Sequence, residues 1–129
     1  NGKHSKKSKI HGREPLLINP NDAKIRNLKN DDIVKVFNDR GSCLAGIKIS
    51  DDVMEGIVFL PVGAWYNPAT DDDTFCIHGN PNVLTDDIGC SSLSQGPSAH
   101  STLVEIHKWE KDLPSITIFD APILKKLKL

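Results

Sequence analysis

Ile33-Val34-Lys35-Val36-Phe37-Asn38-Asp39-Arg40-Gly41-Ser42-Cys43-Leu44-Ala45-Gly46-Ile47-Lys48-Ile49 reads as two strands and the turn that joins them. Residues 33–37 are β-branched and partly alternating, which suits a half-buried strand. Asn38-Asp39-Arg40-Gly41 carries hairpin turn chemistry, and residues 42–49 form the returning strand. Upstream, residues 28–32 are a polar turn. Asn19 is placed to cap a helix whose first position takes Pro20, so residues 21–27 are expected to form a short helix with Ala23 and Ile25 turned inward. Residues 14–18 are a short apolar strand. Downstream, Ser50-Asp51-Asp52 and Glu55-Gly56 make a turn before a β segment at residues 57–62, and residues 103–108 supply another. Short strands, one short helix and closely spaced turns indicate a closed or nearly closed β structure, which removes exposed strand edges.

The chain has 129 residues, one ordinary domain, of which 38% are hydrophobic and 5% aromatic, so its core must rest on Ile, Leu and Val. A net charge of −1 gives no support to general nucleic-acid or membrane-surface binding. Residues 1–13 hold Lys3, Lys6, Lys7, Lys9 and Arg13 without apolar period, and read as a flexible basic N-terminal segment; a nucleic-acid arm would need interleaved aromatics. Cys43, Cys76 and Cys90 are an odd number without a C-x-x-C pair, which points to reduced thiols. The sequence contains no apolar run long enough to span a bilayer and no signal peptide. It begins with Asn, as expected of a processed chain or a domain excised from something larger.

Residues 78–106 are crowded with hydrogen-bonding side chains and punctuated by Gly79, Pro81, Gly89, Gly96 and Pro97. A loop this long in a compact domain is usually functional or disordered, and the alternation at residues 101–106 argues against disorder at that end. Its amides can serve a heterocycle edge with both donors and acceptors, and its glycines admit close backbone approach. The bland alternative is a connector whose polar groups satisfy one another. In Gly63-Ala64-Trp65-Tyr66, adjacent aromatics alternate faces if a strand continues, one packing inward while the other meets a ligand. Other chemistries find little support. No G-x-S-x-G elbow exists, and Cys76, His78, Cys90 and His100 match no zinc spacing. Asp71-Asp72-Asp73 lacks the glycine and terminal glutamate of a calcium loop and reads as a solvated tip, and no Walker or Rossmann glycine pattern occurs.

Taken in order, Gly12-Arg13-Glu14-Pro15, Asn19-Pro20 with Asp22-Ala23, Asn38-Asp39-Arg40-Gly41, Gly63-Ala64-Trp65-Tyr66, Gly79-Asn80-Pro81-Asn82-Val83-Leu84-Thr85 and Ser94-Gln95-Gly96-Pro97-Ser98-Ala99-His100 are specific together, though each is weak alone. Over residues 12–108 the chain resembles the C-terminal molybdopterin-dinucleotide-binding domain of the dimethyl sulfoxide reductase family, in its trimethylamine-N-oxide reductase and biotin sulfoxide reductase branch. The resemblance implies a mainly β fold, a double-psi β-barrel with one or two short helices, assigned to residues 14–120; the stretch beyond Pro114 matches nothing in the family, and residues 121–129 are read as a docking tail. It also implies a bis(molybdopterin guanine dinucleotide) molybdenum cofactor held chiefly by other domains. Asn82 and Gln95 are the expected leading pterin contacts, with Gly96 approaching through its backbone and Asn80, Trp65 and His100 behind them.

The family's molybdenum ligand, a serine in this branch, lies in an earlier domain, so no catalytic or metal-ligating residue is expected here. The family's opening strand carries a His-Ser-Gln motif that His4-Ser5-Lys6 does not reproduce, so the barrel is expected to lack its first strand and one pterin contact. The implied reaction is oxygen-atom transfer from an N-oxide or S-oxide (trimethylamine N-oxide, dimethyl sulfoxide or biotin sulfoxide), with the isolated fragment inactive. The implied partners are the remaining domains of the parent enzyme and a cytochrome-type electron donor, with no nucleic acid and no membrane insertion. The implied compartment is periplasmic, or cytoplasmic for the biotin sulfoxide enzymes. The competing readings are a stand-alone β-barrel protein-interaction module without cofactor and a small hydrolase, which needs a nucleophile the sequence does not offer.

Overall fold

The hairpin forms as its sequence predicts. In the computed structural model, which describes residues 2–121, β2 (Ile33–Phe37) and β3 (Ser42–Ile49) pair antiparallel from Ile33↔Gly46 to Phe37↔Ser42. Asn38 builds the turn: its Oδ1 accepts from the backbone N–H of Arg40 at 3.0 Å and of Gly41 at 3.3 Å. Side chains then sort by the two-residue period of a strand. Cys43, Ala45 and Ile47 enter the main core with Leu16, Ile18, Val34, Val36 and Ile106, while Leu44 joins Ile33 and Ile77 in a second cluster.

The other edge of β3 is shared by two strands. Its C-terminal half pairs in parallel with β1 (Pro15–Ile18), and its start, at Ser42 and Cys43, pairs in parallel with β6 (Asp72–Cys76). Parallel pairing requires long crossovers. β4 (Val58–Phe59) lies outside β1, β5 (Pro68–Ala69) pairs with β6, and β7 (Glu105–Lys108) lies outside β2. The main path is β4-β1-β3-β2-β7, a sheet curled into a half-barrel around the main core. The mainly β, barrel-type expectation holds. Among the described residues no helix is long and apolar enough to cross a membrane.

Local details depart from the sequence reading. Helix α2 spans Pro20–Ile25, with Asn19 Oδ1 accepting from the Asn21 N–H at 2.9 Å as its cap. It ends two residues earlier than expected, because Arg26 leaves helical geometry and Asn27 takes a left-handed φ of 52°. Ile25 consequently stays 79% exposed rather than inward, and Leu28 takes the buried position. Residues 1–13 are read as a loop or frayed segment, yet they contain helix α1 (Lys3–Ser8) and a tight turn closed by Ile10 N–H to Arg13 O at 2.9 Å. Lys9 and Arg13 have buried side chains, which a polar sequence without period does not announce.

Only Val58 and Phe59 of residues 57–62 pair as a strand. Asp72 and Asp73 belong to β6 rather than to a loop tip, because Asp72 Oδ1 accepts from both the Thr74 N–H (2.9 Å) and Oγ1 (2.6 Å) and starts the strand there. The docking-tail reading of residues 121–129 falls, apart from Ala121, outside the described residues.

Gly41 seats the hairpin against its neighbours: a Cβ there would lie 2.5 Å from Val83 O and 2.7 Å from Thr74 O, both backbone atoms. Gly41→Ala is therefore expected to lower stability by about 1–3 kcal/mol, an overpacking cost, read as a lower urea midpoint at unchanged slope.

Candidate functional site

Several separate segments of the chain converge near the start of β1. Glu14 N–H donates to His78 O at 3.2 Å, and Gly46 N–H donates to Glu14 O at 2.9 Å, so residue 14 ties β3 to the segment that follows β6. The Glu14 carboxylate is buried and ion-paired with Lys9, whose ammonium is buried too. Gly63 lies against that carboxylate: a Cβ on it would come 2.6 Å from Glu14 Oε1. Gly79, with φ +96°, passes so close that a Cβ would lie 2.9 Å from Glu14 Cβ. Arg13, 4% exposed, donates from Nε to Ile77 O at 3.2 Å, and burial lowers the pKa of its guanidinium.

These contacts bring residues 62–65 beside residues 80–82. Asn80 stitches the two together. Its Nδ2 donates to Ala64 O at 3.0 Å, and its Oδ1 accepts from the Asn82 N–H at 2.9 Å, capping the 3-10 turn Pro81–Leu84. His78 makes the next stitch, with Nδ1 2.9 Å from Trp65 O. A carbonyl only accepts, so Nδ1 carries the proton and Nε2 presents a lone pair. Nε2 is buried without a hydrogen-bond partner. Burial and the nearby Lys9 and Arg13 cations lower the His78 pKa from 6.5, against the opposing effect of the Trp65 carbonyl and Glu14.

The result is an open cavity of about 240 Å³ lined by Val62, Gly63, Ala64, Trp65, Asn80, Pro81 and Asn82. Of the residues singled out from sequence, it collects Trp65, Asn80 and Asn82. Asn82 is exposed at the cavity, whereas both ends of the Asn80 amide are engaged by backbone, which makes Asn80 a builder of the site. The expectation that Trp65 and Tyr66 alternate on a strand fails. Residues 60–67 are irregular, and both rings stay out of the core, at 56% and 41% exposure, because the stitches to Asn80 and His78 hold this segment off the sheet.

Gln95, Gly96 and His100 do not line this cavity. Residues 88–98 form a self-bonded arm, with a bridge between Gly89 and Pro97 and the Cys90 N–H donating to Gly96 O at 2.8 Å. Gln95 rests its side-chain amide on Gly89, and His100 is exposed in the 3-10 turn Ala99–Ser101. A larger open cavity of about 560 Å³ is lined by residues that include Asn38, Arg40, Asp86, Ser98 and Leu103.

Lys9, Arg13, Glu14 and Asn67 were missed as site-forming residues. Gly12-Arg13-Glu14-Pro15 carried part of the family likeness, and that was the available signal.

A family profile described as "Molydopterin dinucleotide binding domain" matches residues 1–103. The chain belongs to this family. It is 48% identical over 116 residues to the trimethylamine-N-oxide reductase of Salmonella typhimurium (strain LT2), covering 88% of this chain and 14% of the relative. The corresponding figures are 44% over 115 residues for the trimethylamine-N-oxide reductase of Vibrio cholerae serotype O1, covering 88% and 14%. They are 47% over 110 residues for trimethylamine-N-oxide reductase 1 of Escherichia coli (strain K12), covering 84% and 13%. The chain thus spans about a seventh of the length of these curated relatives.

The cavity fits one end of the family's cofactor. An exposed carboxamide, an indole rim and the backbone at Gly63 suit the hydrogen-bonding edge and flat face of a pterin. Its volume of about 240 Å³ is below the roughly 300–1,000 Å³ of a site that encloses a whole drug-sized ligand. Complete burial of a dinucleotide requires walls from elsewhere.

His78 gives a pH test. Its folded pKa is lowered below the unfolded value near 6.5, so the unfolded chain binds the proton more readily. Its contribution is present above 6.5 and is lost as pH falls through the window between 6.5 and the lowered folded value. Urea unfolding at a series of pH values is expected to show a loss of stability on acidification that is smaller in His78→Asn than in wild type. Equal slopes would contradict the assignment.

Proposed function

We propose that this chain is the cofactor-binding domain of a molybdenum oxidoreductase that reduces an N-oxide, with trimethylamine N-oxide the favoured substrate. The observation that carries the reading is the cavity between residues 62–65 and 80–82, in a chain of the molybdopterin dinucleotide binding family whose similar proteins are named trimethylamine-N-oxide reductases.

Asn82 and Trp65 would meet the pterin, Asn80 would hold their two segments together, and Gln95 and Gly96 would reach it from the arm at residues 88–98. When bound, bis(molybdopterin guanine dinucleotide) molybdenum supplies two-electron oxygen-atom transfer. This chain's residues orient the cofactor through its edge and exclude water from one side of it. S-oxides, including dimethyl sulfoxide and biotin sulfoxide, are the alternative substrates.

The partners in this reading are the remaining domains of the parent polypeptide, with a cytochrome-type electron donor for the whole enzyme. Val62, Leu93 and Leu103 are 83%, 97% and 85% exposed, which suits surfaces that other domains cover. Nucleic acid is not a partner in this reading, and the compartment is the periplasm.

Replacing both Asn82 and Gln95 by Ala in the full-length enzyme is expected to lower molybdenum and pterin content per polypeptide, measured by metal analysis and by fluorescence of the released pterin. Wild-type content with wild-type turnover would place the pterin contacts elsewhere.

A further inference from the structure

We propose that residues 114–120 are an internal strap that fixes the position of Trp65 at the cavity rim, with Phe119 and His78 as the positioning residues. The strap forms none of the sheet's strand pairs and is held by side chains from earlier in the chain. Arg13 Nη2 donates to Pro114 O. Asn67, 4% exposed, accepts at Oδ1 from the N–H groups of Thr117 (2.9 Å) and Ile118 (3.0 Å), and donates from Nδ2 to Thr117 Oγ1 at 3.1 Å. Burying an asparagine whose oxygen serves two consecutive backbone donors fixes both direction and register of the passing chain. Ile116 packs into the second cluster beside Gly12, and Asp120 N–H closes a turn onto Thr117 O at 2.9 Å, which turns Phe119 back towards the rim.

There Phe119 meets two rings at once. Its centroid is 5.7 Å from that of Trp65, tilted by 41°, and 5.4 Å from that of His78, perpendicular at 90°. Lys6 Nζ lies 4.7 Å from the same ring, so α1 closes the stack from outside. Trp65 is therefore gripped twice: its carbonyl by His78 Nδ1 and its indole by Phe119. Both grips depend on His78, which bonds to one and packs against the other. The strap lies beyond the residues 1–103 matched by the family profile. The consequence for a pterin contact rests on the functional reading above; the positioning of Trp65 does not.

The test separates the two. In the 129-residue chain carrying Trp109→Phe, Trp65 is the sole tryptophan. Phe119→Leu, which keeps an apolar side chain at a half-exposed position, is expected to shift Trp65 emission to the red and to increase its quenching by acrylamide. Phe119→Tyr is expected to restore both. The side-chain amide NMR signals of Asn80, bonded to the neighbouring Ala64, are expected to move in the Leu variant and return in the Tyr variant. Unchanged emission, quenching and Asn80 signals in Phe119→Leu would overturn the strap. Holoenzyme with released Trp65 but full pterin content would uphold the strap and count against Trp65 as a pterin contact.

Discussion

The buried carboxylate of Glu14 is the constraint around which this domain is arranged. A carboxylate without compensation inside a protein is costly, so Lys9 must be carried into the interior to meet it, and the basic N-terminal segment becomes part of the fold. The same residue spends its backbone on two separate neighbours, accepting from Gly46 in β3 and donating to His78. Chains that cross so tightly cannot all bear side chains. Gly79 and Gly63 leave the room that Glu14 fills, and Gly46 does the same for Ile10. The crossing sets the distance between residues 62–65 and 80–82, and that distance is the cavity.

Legibility from sequence followed the range of the interactions. The β2–β3 hairpin was plain because its strands are adjacent and Asn38-Asp39-Arg40-Gly41 carries the turn. The start of α2 was equally plain, because Asn19 and Pro20 act within one turn. β6 was hidden: an acid-rich stretch becomes a strand only because Ser42 and Cys43 offer it a parallel edge some thirty residues away. Lys9 and Arg13 read as parts of a flexible basic segment, and Asn67 carries no local signal. Their partners, at Glu14, Ile77, Pro114, Thr117 and Ile118, are mostly distant in sequence, and no local period marks them.

The candidate site shows the same division. Asn80 and Asn82 belong to one capped turn, in which Asn80 holds the scaffold rather than facing outward. Trp65 reaches the rim through two stitches that only the three-dimensional crossing supplies. Gln95 and Gly96 sit on an arm closed upon itself, apart from the cavity, and a large cofactor spanning both regions is what would bring them into one site. In the proposed reading the half-barrel and the shallow cavity have a common cause: each would be one face of an arrangement that other domains complete, and the curated relatives are about seven times the length of this chain.

Amide hydrogen exchange at Glu14 and Gly46 tests the crossing most directly. The account predicts that these two N–H groups, bonded to His78 O and Glu14 O, exchange only through global unfolding, alongside the buried amides of β3. Exchange at the rate of the exposed arm around Ser91 and Ser94 would mean that the crossing opens independently, and that Glu14 does not hold the domain together.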